Sequence, residues 1–211
     1  MEAVSYTHLP WILLADEQGN VKLTDKQVQQ LVKILTDNQG ANGLCQGAYW
    51  GKTYDDIDTT GTALAALARF AKATEDPYDV KDQANTFITK ALAGLGKAQG
   101  ENGSFGNVNT DAMVIAGLAA IGKNPSNFKN NNSSLADALT LYVNEGQNGF
   151  SSGYAAGTAG EKAVSYTHLD VYKSQVLHGP ATVRGERVFR IPLRRVCEQL
   201  LRCLGKGESA C

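Results

Sequence analysis

Three carboxylates stand within four residues at Asp55 to Asp58, in the stretch DDID of this 211-residue chain. Neighbouring aspartates have two uses: they can hold a proton for transfer, or their oxygens can accept the backbone N–H groups that the first turn of a helix leaves unpaired. Other chemistries lack their parts. All three histidines, His8, His168 and His178, lie towards the two ends, and between Gly19 and Gly160 the only cysteine is Cys45. That stretch therefore holds no Ser-His-Asp or Cys-His arrangement and no zinc site that needs imidazole, so no metal and no cofactor is expected. Aromatic residues supply a second candidate. Tyr49, Trp50 and Tyr54 lie in AYWGKTYDD, and Phe105, Phe150 and Tyr154 follow later glycine-rich turns. Such side chains either form a stacking surface for a ligand or cover the ends of helices with apolar area.

The elements that position these residues form a repeat. QGANGL (Gln39 to Leu44), QGENGS (Gln99 to Ser104) and EGQNGF (Glu145 to Phe150) are related turns, each preceded by an apolar stripe of helical period. The stripes are Val28, Leu31, Val32 and Leu35; Ala84, Phe87, Ile88, Ala91, Leu92 and Leu95; and Leu135, Ala138, Leu139 and Tyr142. Thr24 with Gln27, and Ser134 with Asp137, have the spacing of capping boxes. Gly43, Gly103 and Gly149 are placed to stop the helices by taking positive φ.

After the first two turns, DIDTTGTALAALARF (Asp56 to Phe70) aligns with NVNTDAMVIAGLAAI (Asn107 to Ile121) at constant offset, pairing Asp58 with Asn109. Read this way, Asp58 and Asn109 are helix caps. Small residues such as Ala63, Ala66, Ala116 and Ala119 suit close helix approach. The unit is helix, turn, capped helix at roughly 45 to 60 residues, the mark of a helical-hairpin array. No strand is expected.

The two ends read differently. AVSYTHL occurs identically at Ala3 to Leu9 and at Ala163 to Leu169, with unlike sequence after each copy. Folding repeats extend further and diverge, so this duplication reads as a seam of adapter-like origin. Beyond the second copy Arg184, Arg187, Arg190, Arg194, Arg195 and Arg202 replace the lysine usage of the middle, where Arg69 is the single arginine. The expected organisation is a foreign leader at residues 1–15, an interpretable domain at 16–160 and a foreign, mostly disordered Arg-rich tail at 161–211. In that tail Leu193, Val196, Leu200 and Leu204 share one face of a short helix. Both ends are expected to make few contacts with the middle.

KALAGLGKAQGENGSF (Lys90 to Phe105), an apolar helix followed by Gln, Gly and an aromatic, resembles the repeat of the terpenoid-cyclase and prenyltransferase α/α-toroid superfamily, seen as the QW motif in squalene cyclases. FGNVNTDAMVIAGLAAIG (Phe105 to Gly122) is similar to helix starts in cobalamin-binding transport proteins and in bacterial cell-surface proteins with such a domain. The resemblance implies an all-α fold, an incomplete α/α toroid of stacked antiparallel hairpins, with Gln39, Gly43, Gln99, Gly103, Asn109 and Gly149 as its structural motif. It also implies the proton-donating acidic motif of class II terpene cyclases at Asp56 and Asp58, although Thr59 stands where a further aspartate belongs. Prenyltransferase zinc would need a histidine that the segment lacks.

Carbocation chemistry needs a closed, dry, apolar cavity. Family members close the ring with about a dozen helices, whereas about five are expected here. The expectation is therefore a non-catalytic binding module, a fragment of a secreted or cell-surface bacterial protein. Its ligand would be a carbohydrate, a cobalamin-like molecule or a peptide, with no nucleic-acid partner and no membrane span. A fragment of a cyclase-like enzyme is the alternative.

Overall fold

A computed structural model describes residues 6–49, 52–143 and Phe150. The chain divides into two units, Met1–Leu141 and Tyr142–Cys211. In the second, the described residues show one antiparallel bridge, Val143 with Phe150. The third turn, including Gly149, and the whole tail at 161–211 lie outside the described residues, as do Trp50, Tyr154 and the side chain of Tyr49.

The first unit is mostly helical. A short 3₁₀ turn, Tyr6–His8, leads into α1 (Leu9–Glu17), followed by α2 (Asp25–Asp37), α3 (Ile57–Lys72), α4 (Lys81–Ala98), α5 (Val108–Ala120) and α6 (Leu135–Thr140). Both expected capping boxes form. Thr24 Oγ1 accepts from Gln27 N–H while the Gln27 side chain accepts from Thr24 N–H, and Ser134 and Asp137 do the same for α6. Each box satisfies orphan N–H groups at both ends of its exchange. The apolar stripes then face inward, with Val28, Val32 and Leu35 of α2 and Ala84, Phe87, Ala91 and Leu95 of α4 buried.

Helix α3 lies at the centre, packed against α1, α4 and most extensively α5, while α2 packs on α4. It is buried along most of its length. Its partner α5 runs parallel to it: Gly61 meets Met113 and Val114 near one end, and Lys72 Nζ donates to the Ala120 carbonyl at the other. The closest approach falls at glycines, because a Cβ on Gly117 would stand 2.3 Å from the Gly61 carbonyl oxygen. The small residues expected to mediate it behave unequally. Ala63 and Ala66 are buried, but Ala119 is exposed.

Two expectations are corrected here. Strands are present, since β1 (Cys45–Tyr49) and β2 (Lys52–Asp56) pair antiparallel and a minimal pair, β3 (Lys129–Asn130) and β4 (Ser133–Ser134), precedes α6. The reason is that AYWGKTYDD inserts Tyr- and Thr-containing segments long enough to pair with each other before α3 begins. Residues set apart as a leader are also part of the fold from Tyr6 onward. Leu9 and Leu13 are buried and α1 packs on α3. Apolar residues on one face of a helix are recruited to a core whatever their origin.

Candidate functional site

The first two glycine-rich turns repeat each other bond for bond. Gly40 N–H donates to the Leu44 carbonyl and Gly100 N–H to that of Ser104; Gly43 and Gly103 donate back to Gly40 and Gly100. Leu44 and Ser104 N–H donate to Asn42 Oδ1 and Asn102 Oδ1. Gln39 Nε2 holds the Gly43 carbonyl at 2.8 Å and Gln99 Nε2 that of Gly103 at 2.8 Å. Each glutamine also reaches the following unit, Gln39 to the Phe87 carbonyl and Gln99 to that of Phe128. Gln39, Gly43, Gln99 and Gly103 thus fasten the first two turns.

The helix starts match as well, two residues earlier than expected. Asp56, not Asp58, caps α3, and Asn107, not Asn109, caps α5: their Oδ1 atoms accept from Thr59 N–H at 2.9 Å and Thr110 N–H at 3.0 Å. The offset of 51 residues between Asp56 and Asn107 equals that between Asp58 and Asn109, so the alignment holds and only the cap moves. Asp58 falls within the first turn of α3 and is exposed. The cause is the extended conformation at Asp56, with φ −102° and ψ 91°, imposed by its pairing with Cys45 in the hairpin.

Asp56 has both oxygens occupied. Beyond Thr59 N–H, its Oδ2 accepts from Thr59 Oγ1 at 2.8 Å and from Tyr6 Oη at 2.6 Å. Burial and its bonds to Asp56 and Tyr54 push the Tyr6 phenol well above its usual range. Asp56, the first of the two aspartates matched to the acidic motif, is therefore committed to the helix start. Asp56→Ala should cost about 0.5–2 kcal/mol of stability, with Asp58→Ala the smaller loss, in denaturant titrations of the two variants. A greater loss from Asp58→Ala would contradict this placement of the cap.

One residue further on, the repeats diverge chemically while keeping their geometry. Thr60 Oγ1 accepts from Cys45 N–H at 2.9 Å, and at the equivalent place Asp111 Oδ1 accepts from Phe105 N–H at 2.7 Å. Ser104 Oγ donates to the other Asp111 oxygen at 2.7 Å. Asp111 is fully buried, and burial raises its pKa against the effect of these two bonds. Cys45 is buried too, its thiol pushed up to about 12 by burial, which fits a core residue and not a nucleophile.

At the capped end of the bundle the aromatics separate. Tyr54 is 49% exposed on β2 and its ring lies across the hairpin over Gly47, where a Cβ would meet it at 2.2 Å. On the opposite face of the hairpin Asn42 Nδ2 and Gln46 Nε2 both donate to Asp55 Oδ1, at 2.8 and 2.7 Å, and hold that carboxylate below its usual range. Phe105 is half-buried at the second turn, with its backbone fixed by Asp111. Phe150, in the other unit, is 42% exposed.

A shallow cavity of about 370 Å³ lies at the opposite end of α3, among Arg69, Phe70, Ala73, Pro77 and Tyr78. Arg69 stacks 4.4 Å from the Phe70 ring centre while pairing with Asp16. Asp16 stays below the usual carboxylate range: burial opposes its charge, and the Leu23 N–H and Arg69 together outweigh it. Sequence reasoning missed this end, although its signal was there in the lone arginine of a lysine-rich segment. No helix among the described residues is long and apolar enough to cross a membrane. Neither a family model nor a curated protein nor a solved structure matches the chain.

Proposed function

We propose that this chain is a non-catalytic ligand-binding module, a piece of a secreted or cell-surface α/α-toroid protein whose ligand meets the capped end of the helices. The observation that carries the reading is an insertion. Equivalent turns stand 60 residues apart (Gln39 to Gln99) and equivalent helix starts 51 apart (Asp56 to Asn107), so the first unit holds nine additional residues. They build the hairpin that sets Tyr54 in solvent on one face and, on the other, gathers the amides of Asn42 and Gln46 around the carboxylate of Asp55. An exposed ring that shares its face of the strand with Lys52 and Asp56 suits a polar ligand with one apolar face, as carbohydrates have.

The commitment of Asp56 to its cap weighs against the cyclase alternative. The test is ligand-observed NMR with oligosaccharides, short peptides and a cobalamin analogue, together with an assay on squalene-like and prenyl substrates. Tyr54→Ala should weaken whichever ligand binds by at least about tenfold at unchanged melting. Isoprenoid turnover that disappears in Asp58→Asn would overturn the proposal, as would binding that is indifferent to Tyr54.

A further inference from the structure

The hydrogen-bonding phase of the hairpin is fixed at two points. Thr60 Oγ1 accepts from Cys45 N–H and donates to the Asp56 carbonyl at 2.6 Å, so those two main-chain groups face each other across the pair. Gln46 faces the other way: its N–H donates to the Asn38 carbonyl at 3.0 Å and its carbonyl accepts from Asn38 Nδ2 at 3.0 Å. Inward and outward pairs alternate along an antiparallel ladder. Asp55 and Thr53, which stand opposite Gln46 and Ala48, therefore turn their N–H and C=O groups away from β1. Lys52, Thr53, Tyr54 and Asp55 are all exposed, and among the described residues β1 is the only strand paired with β2. An edge of this kind is a template for another strand.

Its side chains specify which strand. Lys52, Tyr54 and Asp56 share one face, Thr53 and Asp55 the other. Laid antiparallel on its own copy about a two-fold axis at Tyr54, the edge matches itself. Thr53 meets the partner's Asp55, both with outward groups, so each such pair exchanges its N–H···O bonds. Lys52 comes opposite the partner's Asp56, and Tyr54 opposite the partner's Tyr54. Slipping two residues one way sets Asp55 against the partner's Asp55; slipping the other way takes Lys52 from its carboxylate. Like charges directly opposite destabilise a ladder, and opposite charges support it.

We propose that β2 is a self-complementary edge through which two copies of this chain pair about a two-fold axis, joining their hairpins into one antiparallel sheet. The pairing is isologous, each copy giving the same residues. A five-residue edge is small against the roughly 1,200–2,000 Å² of stable interfaces, so the association is weak and concentration-dependent. The inference stands apart from the identity of any ligand.

Sedimentation equilibrium of the full chain over a wide concentration range reads the pairing directly. The wild type should pass from monomer to dimer. Thr53→Pro removes an N–H that the monomer does not use, at an edge position where proline is tolerated, and should weaken association at least about tenfold at unchanged melting. Lys52→Glu should weaken it comparably, and if Thr53→Pro proves to lower the melting temperature, this exposed substitution carries the test alone. In a sample mixing isotope-labelled and unlabelled chains, a nuclear Overhauser effect should join the Tyr54 Hα protons of the two copies. A wild type that stays monomeric to millimolar concentration, variants that dimerise as it does, or a dimer without that Tyr54 contact would each overturn the proposal.

Discussion

Replacing Gly43 with alanine should cost about 2–5 kcal/mol of folding stability, from left-handed backbone strain of about 1–2 kcal/mol and overpacking of about 1–3 kcal/mol. Gly43 has φ +89°, and a Cβ built on it would lie 2.1 Å from the Lys90 carbonyl oxygen, a backbone atom of α4 that cannot rotate aside. Gly103 repeats the situation, with φ +83° and the Ser134 carbonyl oxygen at 2.4 Å, and its alanine variant should lose a comparable amount. Gly19 supplies the control. It also has positive φ, +72°, but nothing lies within 4 Å of its Cβ position. Gly19→Ala should therefore show the strain alone, about 1 kcal/mol. Urea titration of the three variants checks the order, and equal losses at Gly43 and Gly19 would mean that turn and helix do not touch as described.

Gln99→Leu should remove about 2–4 kcal/mol. Gln99 is 3% exposed and its Nε2 serves two carbonyl groups, those of Gly103 and Phe128. Leucine fills a similar volume but strands the Gly103 carbonyl, at about 1–3 kcal/mol, and takes one of two donors from the Phe128 carbonyl, which keeps Leu135 N–H, at about 0.5–1.5 kcal/mol. Part of the loss is offset because Gln99 Oε1, itself buried without a partner among the described residues, disappears with the amide. Gln39 makes the equivalent pair of bonds at a partly exposed position, where water can replace the missing donor. Gln39→Leu should therefore be the milder variant in the same thermal or urea measurement. If the Gln39 substitution proves the more damaging, burial is not what sets the energy of these ties.

Much of the helical scaffold was legible because its signals are local. A capping box needs two residues three apart, so Thr24 with Gln27 and Ser134 with Asp137 announced α2 and α6 before any tertiary contact is considered. The turns were legible for the same reason, since Gln39, Gly43, Gln99 and Gly103 act within their own loops as well as beyond them. The caps of α3 and α5 were misplaced by two residues because Asp56 and Asp58 are chemically equal candidates. What separates them is the backbone, extended at Asp56, where the hairpin ends, and at Asn107, which no strand precedes, whereas Asp58 and Asn109 lie inside their helices. The hairpin itself was hidden, as its strands are short and one contains Gly47, which reads as a loop until Tyr54 is found lying over it. The docking of α1 was hidden differently. Its sequence carries no repeat phase, and only the Asp16–Arg69 pair and the burial of Leu13 reveal that it belongs to the fold. As for the site, Tyr54 is exposed, while the cluster that Asn42, Gln46 and Asp55 form on the other face of the hairpin depends on a strand register that no local signal encodes.

The glutamine ties also give the array a direction. Gln39 reaches forward in the chain to Phe87 and Gln99 forward to Phe128, and among the described residues neither turn is fastened by a glutamine from a later unit. During synthesis each turn therefore waits for chain that has not yet emerged: the loop at Gly43 is secured only once α4 exists, and the loop at Gly103 only once Phe128 has followed. Growth proceeds like a zip whose every tooth is locked by the next one, and fraying runs by the same logic from the late end backward. Shortening from the C-terminal side would strand an amide in the preceding unit, whereas shortening from the N-terminal side removes donor and turn together and leaves no such amide behind.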